Sequence, residues 1–456
     1  MNTAGAVSPF SIGNVRLFMI FRVCFNARFY YPVFAVMFLD FGLTLADFAL
    51  LNAAWAAAIV LLEVPSGALA DMVGRKRLLV TAGALMVVEI AIICFAPTGY
   101  PTLVFWAFMV NRILSGAAEA AASGADEALA YDSLEAEAGP GLWGSVLDRT
   151  MRMQALARIV AMSVGGAVYD PVFVTGLLGR AGIYVHLSQA VTMRFPLYLT
   201  LILAVVTFVS ALLMEERAAV NENSGGMPFK EALALTLDTA RWIFATPCAF
   251  AVIVTGLVFD SVIRMLVTMN SQYYRLIELP EASFGLIGAA MGVVGLFIPR
   301  LAKRMAENSE VTFNLGVLAA VTLFGLVGMS LFVRHFGLIP AMVITAGMYL
   351  LSFFVSYYLN RLAEGSRRAT VLSFKGLSFN LAYGVMGVVY AGALALLRNR
   401  ALKVTDNPDA VDALAFMQSV GLFPLCFAGM MVIAILLLRR VLDDGAALCP
   451  LDPSGR

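Results

Sequence analysis

Apolar stretches of about 20 residues recur twelve times along this chain, at 14–39, 46–70, 77–97, 101–131, 146–169, 194–214, 247–270, 282–303, 311–333, 337–360, 369–397 and 415–439. A helix of that length crosses the roughly 30 Å hydrocarbon core of a bilayer. Lipid offers no partner to a backbone N–H or C=O, so a segment immersed in it must satisfy its own polar groups, and it folds as a helix. The pattern therefore predicts an all-α membrane protein of twelve transmembrane helices. Composition agrees, with 61% hydrophobic and only 13% charged residues and a mean hydropathy of +0.86, where soluble domains carry about 25% charged residues.

A polar stretch at 215–246 divides the windows six and six. It opens with Glu215-Glu216-Arg217, runs through Asn221-Glu-Asn-Ser-Gly-Gly226 and ends in an amphipathic segment at 229–242. The expected organisation is an N-terminal half at 1–214, a linker with an amphipathic helix at 215–246 and a C-terminal half at 247–456, the halves being pseudo-symmetric. Lys and Arg resist translocation. They concentrate in the loops that share a side with the linker, including the cluster at 75–77, Arg149, Arg152, Lys303 and Arg304. This predicts a multi-pass protein of a bacterial cytoplasmic membrane with both termini cytoplasmic. The polar, uncharged residues 1–13 and the absence of a small-residue cleavage site argue against a removable signal peptide.

The same composition limits the chemistry. Thirty-one basic against thirty acidic residues leave a net charge of +1, too little for a nucleic-acid partner held by bulk charge. His186 and His335 stand alone, and the five cysteines are scattered without metal-binding spacing. No nucleophile elbow or phosphate-binding glycine loop appears. The expectation is a protein that is not an enzyme, with no metal and no cofactor, acting as a monomer on a small molecule and a proton within the lipid bilayer.

Charges at bilayer depth cost about 2.5–3.5 kcal/mol each on insertion scales, so those present are functional candidates. They are Arg22 and Arg28 in the first window with Asn26 beside them, Glu63 in the second and Glu89 in the third. The fourth holds Arg112, Glu119, Asp126 and Glu127, the fifth Arg158, the seventh Asp260 and Arg264, and the eleventh Lys375. At 100° per residue Arg112, Gly116, Glu119, Ser123 and Asp126 share one narrow helical stripe, which must face a bundle interior or a wet path. Asp260 and Arg264 stand four apart, where helical side chains meet. By depth, Asp260 and Arg28 are expected to face each other across a midplane cavity. Tyr349, Ser352, Ser356 and Asn360 line up at helical spacing in the tenth window as hydrogen-bonding groups. For all of these the alternative stays open that they are structural ion pairs or packing contacts between helices.

Between the second and third windows the chain reads Gly67-Ala-Leu-Ala-Asp71-Met-Val-Gly74-Arg75-Lys76-Arg77-Leu-Leu79. This resembles the loop signature of the major facilitator superfamily, G-x-L-A-D-x-x-G-R-K-x-x-L, departing from it at Met72. The resemblance extends to the whole chain through its twelve windows and midpoint linker, and implies the major facilitator fold. It implies gating roles for Gly67, Asp71, Gly74 and Arg75, with Asp71 meeting the start of the eleventh helix at 370–373 and Arg75 pairing with Asp126 or Asp132. Arg112 with Gly116 resembles the family's R-x-x-x-G on helix 4, which is tied to proton coupling. The antiporter motif G-P-x-x-G-G is represented only by Gly165-Gly166.

Together these readings predict a proton-coupled secondary transporter of a small organic molecule, working by alternating access and exporting its substrate. Glu119 and Asp260 are the expected protonation sites. Two alternatives remain: proton-coupled uptake of an anionic or zwitterionic metabolite, suggested by Arg22 and Arg28, and a receptor or scaffold that does not transport.

Overall fold

The computed structural model describes residues 8–138, 142–216, 229–363 and 368–443, and among these every regular element is helical. Before the linker come α1 (Gly13–Asn26), α2 (Phe34–Asp40), α3 (Leu45–Val73), α4 (Arg75–Cys94), α5 (Pro101–Ala122), α6 (Ala125–Ala138), α7 (Trp143–Tyr169), α8 (Pro171–Arg180), α9 (Gln189–Thr192) and α10 (Phe195–Leu213). After it come α11 (Phe229–Ala245), α12 (Pro247–Thr268), α13 (Asn270–Leu276), α14 (Glu281–Asn308), α15 (Val311–Ser330), α16 (Leu338–Leu362), α17 (Arg368–Ala401) and α18 (Pro408–Asp443). Ten stretches of the described residues are long and apolar enough to span a membrane. The other two windows differ for identifiable reasons. The fifth is α7, which carries Asp148, Arg149, Arg152 and Arg158; it is long and apolar enough to span only together with α8, from which it is bent by 86°.

The first window is two helices, not one. Residues 27–33 leave the α-helical path, where Pro32 has no N–H to donate. Neighbours satisfy the freed backbone: Phe29 N–H donates to Thr200 Oγ1 at 3.1 Å, and Ala35 and Val36 N–H donate to Ser271 Oγ at 3.0 and 3.2 Å. The fourth window is also divided, at Ser123-Gly124, where Gly124 takes φ +77°. The charged stripe expected on one continuous helix is therefore split. Arg112, Gly116 and Glu119 lie on α5, and Asp126 begins α6.

Helices on either side of the linker meet through small residues that let backbones approach, as expected where lipid supplies no hydrophobic drive between helices. α3 packs against α17, with an added Cβ on Gly387 falling 3.0 Å from the Ala49 carbonyl oxygen. α7 packs against α14, where a Cβ on Gly285 would fall 2.0 Å from the Met162 carbonyl oxygen. The Gly165-Gly166 pair has a similar reason. A Cβ on Gly165 would lie 1.8 Å from the Phe29 carbonyl oxygen of the broken first span, and one on Gly166 would lie 2.7 Å from Gly285 N. On the face that bears the linker, α11 packs against α3, α12 and α17.

Candidate functional site

A cavity of about 540 Å³ lies among these helices, lined from α5 by Arg112, Ser115 and Glu119, from α7 by Arg158 and Met162, and from α12 by Arg264. Asn26, Tyr30 and Tyr31 from the broken first span, Trp55 from α3, Tyr274 from α13, Met291 from α14, Tyr349 from α16 and Tyr383 from α17 complete most of the wall. Its volume is that of a site for a drug-sized molecule, and the mixture of aromatic surface with a few polar groups is typical of one.

The break in the first span positions the deepest charges. Arg28, turned inward by the loss of helix, forms a 2.6 Å ion pair with Glu89 of α4, both side chains being 2% exposed or less. Asn111 Nδ2 donates to the other Glu89 oxygen at 2.8 Å, and its own Oδ1 accepts from Arg112 Nε at 2.9 Å. The Arg112 guanidinium also lies over the rings of Phe34 and Phe38, 5.3 and 5.8 Å from their centres. This chain fixes Arg112 without giving it a carboxylate partner among the described residues. Gly116, one turn further on, admits α3: a Cβ there would fall 2.7 Å from the Trp55 carbonyl oxygen.

Glu119 completes the polar strip of α5. It lines the cavity, and among the described residues its carboxylate has no hydrogen-bond or ion-pair partner. Arg158 on the opposite wall is likewise without an ion-pair partner among the described residues, and it is close enough to Tyr349 to interact electrostatically with it. Arg264 differs. It is held by Asp260 at 2.7 Å and by Asn380 Oδ1 at 2.9 Å, and it lies over the Tyr383 ring.

Several expected groupings are arranged otherwise. Asp260 and Arg28 do not meet across the cavity, because each is engaged within its own set of helices by Arg264 and Glu89. Arg22 is 3.0 Å from Asp126 and 2.6 Å from Glu127, so it closes the α5–α6 bend instead of facing a ligand. Asn26 does line the cavity, its amide donating to the Arg22 carbonyl at 2.8 Å. Glu63 is half-buried outside the lining, Ser352 is exposed, and Ser356 accepts a 3.1 Å hydrogen bond from Lys375 Nζ. Tyr349 lines the cavity and packs on Gly295 of α14.

At the signature turn, Gly74 takes φ +101°, a conformation that favours glycine, and starts α4. Arg75 pairs with Asp132, not with Asp126. The Glu216 carboxylate accepts from the N–H groups of Arg75 and Lys76 at 2.9 and 2.8 Å, capping α4 at its positive end. The side chains at Gly67 and Asp71 lie outside the described residues.

One cluster escaped the sequence reading. At the face opposite the linker, Arg275 donates to both oxygens of Asp40 at 2.8 Å and approaches Glu281 to 2.5 Å. Tyr169 and Gln189 also donate to Asp40 Oδ2, and Asp170 accepts from Ala282 N–H at 3.2 Å. The cluster ties the ends of α2 and α7 to the ends of α13 and α14.

A cavity between two sets of membrane helices, with a polar cluster joining the two sets at one face, is the arrangement of a membrane carrier. Residues 17–387 match the family model of the Major Facilitator Superfamily; the chain belongs to that family and is a non-enzymatic transporter. It is 23% identical over 308 residues to the quinolone resistance protein NorA of Staphylococcus aureus, a match covering 66% of this chain and 70% of NorA. Among solved structures it is similar to an inward-facing, unoccupied bacterial homologue of the human lysosomal transporter Spinster, with a TM-score of 0.69, 15% identity and coverage of 98% and 100% of the two chains. A D-xylose–proton symporter gives 0.63, 12%, 92% and 97%, and the nucleoside transporter NupG 0.64, 14%, 92% and 98%. At these identities the likeness is one of fold.

Proposed function

We propose that this transporter couples proton movement to export of a small organic molecule, with both termini in the cytoplasm and Glu119 as the proton-carrying group. The reading rests on one observation: Glu119 is the cavity-lining carboxylate without a hydrogen-bond or ion-pair partner among the described residues. The charges that act on it are Arg112 on its own helix, Arg28 from the broken first span and Glu89 from α4, with the Tyr31 hydroxyl nearby. Arg28 and Glu89 neutralise each other. Glu119 and Arg112 are thus left as the responsive pair, in which arrival of a proton or of a charged substrate changes the balance for the other. Asp260, held by Arg264, is on this reading a structural anion. Export is favoured by the similarity to NorA.

The test uses the purified protein in proteoliposomes with a fluorescent quinolone as probe. With an acid interior, the wild type is expected to accumulate the quinolone and dissipate the proton gradient, whereas folded Glu119→Gln does neither. Unchanged accumulation by Glu119→Gln, or none by the wild type under either direction of gradient, contradicts the proposal. Accumulation driven only by an acid exterior supports instead the second reading, symport into the cell, which the cationic character of the cavity favours.

A further inference from the structure

We propose that the substrate is an organic anion with an aromatic body, and that Arg158 is the residue that selects for its negative charge. This deepens the carrier reading above and rests on it. The positive groups at the cavity wall are Arg112, Arg158 and Arg264, and the negative groups that answer them are Glu119 and, behind Arg264, Asp260. One positive charge is in excess while Glu119 is ionised, and two when it is protonated. The excess is localised. Arg264 is engaged by a carboxylate and an amide, and Arg112 is held at Nε by Asn111 and lies over the Phe34 and Phe38 rings, which leaves the Arg158 guanidinium without an ion-pair partner among the described residues.

The Arg158 side chain is exposed where it lines the cavity, and its planar fork is open to a carboxylate, sulfonate or phosphate through paired charge-assisted hydrogen bonds. The rest of the wall suits an aromatic body. Tyr31, Trp55, Tyr274 and Tyr349 present rings, and Met162 and Met291 present adaptable thioethers. An organic cation, by contrast, would face three guanidiniums with Glu119 as the accessible counter-charge. Arg22 and Arg28, the residues from which the sequence suggested an anion, are already neutralised by Asp126, Glu127 and Glu89.

The proposal is tested by equilibrium binding of an isosteric series to the full chain in nanodiscs: 2-naphthoate, its neutral amide, and 2-naphthylmethylammonium. Naphthoate is expected to bind at least tenfold tighter than the amide, and the ammonium compound weakest. Arg158→Gln should abolish the advantage of naphthoate while leaving the affinity for the amide within twofold, Arg158→Lys should restore part of it, and Glu119→Gln should strengthen naphthoate binding. Equal affinities for acid and amide, preference for the cation, an Arg158→Gln variant that still prefers the acid, or no binding of any probe at millimolar concentration overturns the proposal. Because this measures binding without a gradient, it is separable from coupling. Persistence of proton-driven transport in Glu119→Gln would remove the coupling assignment and leave the charge selectivity of Arg158 standing.

Discussion

At the scale of single residues, the buried charges divide into those that hold the protein together and those left free to act. Arg28 and Glu89 belong to the first group, since their ion pair is almost wholly removed from solvent and further braced by Asn111. Removing one partner of such a pair strands the other charge and costs about 3–5 kcal/mol, whereas replacing both with apolar groups of similar size is far milder. Glu89→Gln is therefore expected to lower the thermal unfolding temperature of the purified protein markedly, and the double variant Arg28→Met, Glu89→Leu to recover part of that loss. A Glu89→Gln variant as stable as the wild type contradicts the structural assignment. The sequence located both charges by depth but could not pair them, because nothing in their spacing links two different spans. The same limit applies to Arg22 and Asp126. Helical periodicity relates residues within a helix, and these partners lie 104 positions apart.

At the scale of elements, the interruption of the first span explains why Arg28 can turn inward and why α7 needs glycine opposite Phe29. Apolar windows read total length well, since lipid enforces it, but a window score passes over a break whose freed N–H groups are satisfied by Thr200 and Ser271 from other helices. The polar cluster at Asp40 was illegible for a related reason. Its members are isolated residues at helix ends, outside any periodic pattern, and only the fold brings them together. Arg275 joins helices on both sides of the linker, so its loss should loosen the contact between them at that face. In a background lacking the five native cysteines, Asn270→Cys, which lines the cavity, is expected to react several-fold faster with an impermeant maleimide from the face opposite the linker when Arg275→Gln is added. An unchanged rate denies the cluster a gating role.

At the scale of the whole molecule, membrane architecture and family were legible from window length and the signature turn at 67–79, because both follow from constraints that act locally along the chain. The cavity was partly legible: Asn26, Arg112, Glu119, Arg264 and Tyr349 line it, while the aromatic wall contributed by Tyr31, Trp55 and Tyr274 gave no signal in strongly apolar sequence. Small-residue contacts between α3 and α17 and between α7 and α14 lie toward the face of the Asp40 cluster, where rocking of one helix set against the other would separate them. The most direct test is a pair of spin-label distance measurements in nanodiscs. One pair, Val172→Cys with Val404→Cys, spans the face of the Asp40 cluster, and the other, Arg77→Cys with Lys303→Cys, spans the face that bears the linker; all four positions are exposed. On lowering the pH or adding naphthoate, the populations at the two faces are predicted to shift in opposite senses, one distance lengthening as the other shortens. Distances that stay fixed at both faces, or that lengthen together, contradict alternating access around this cavity.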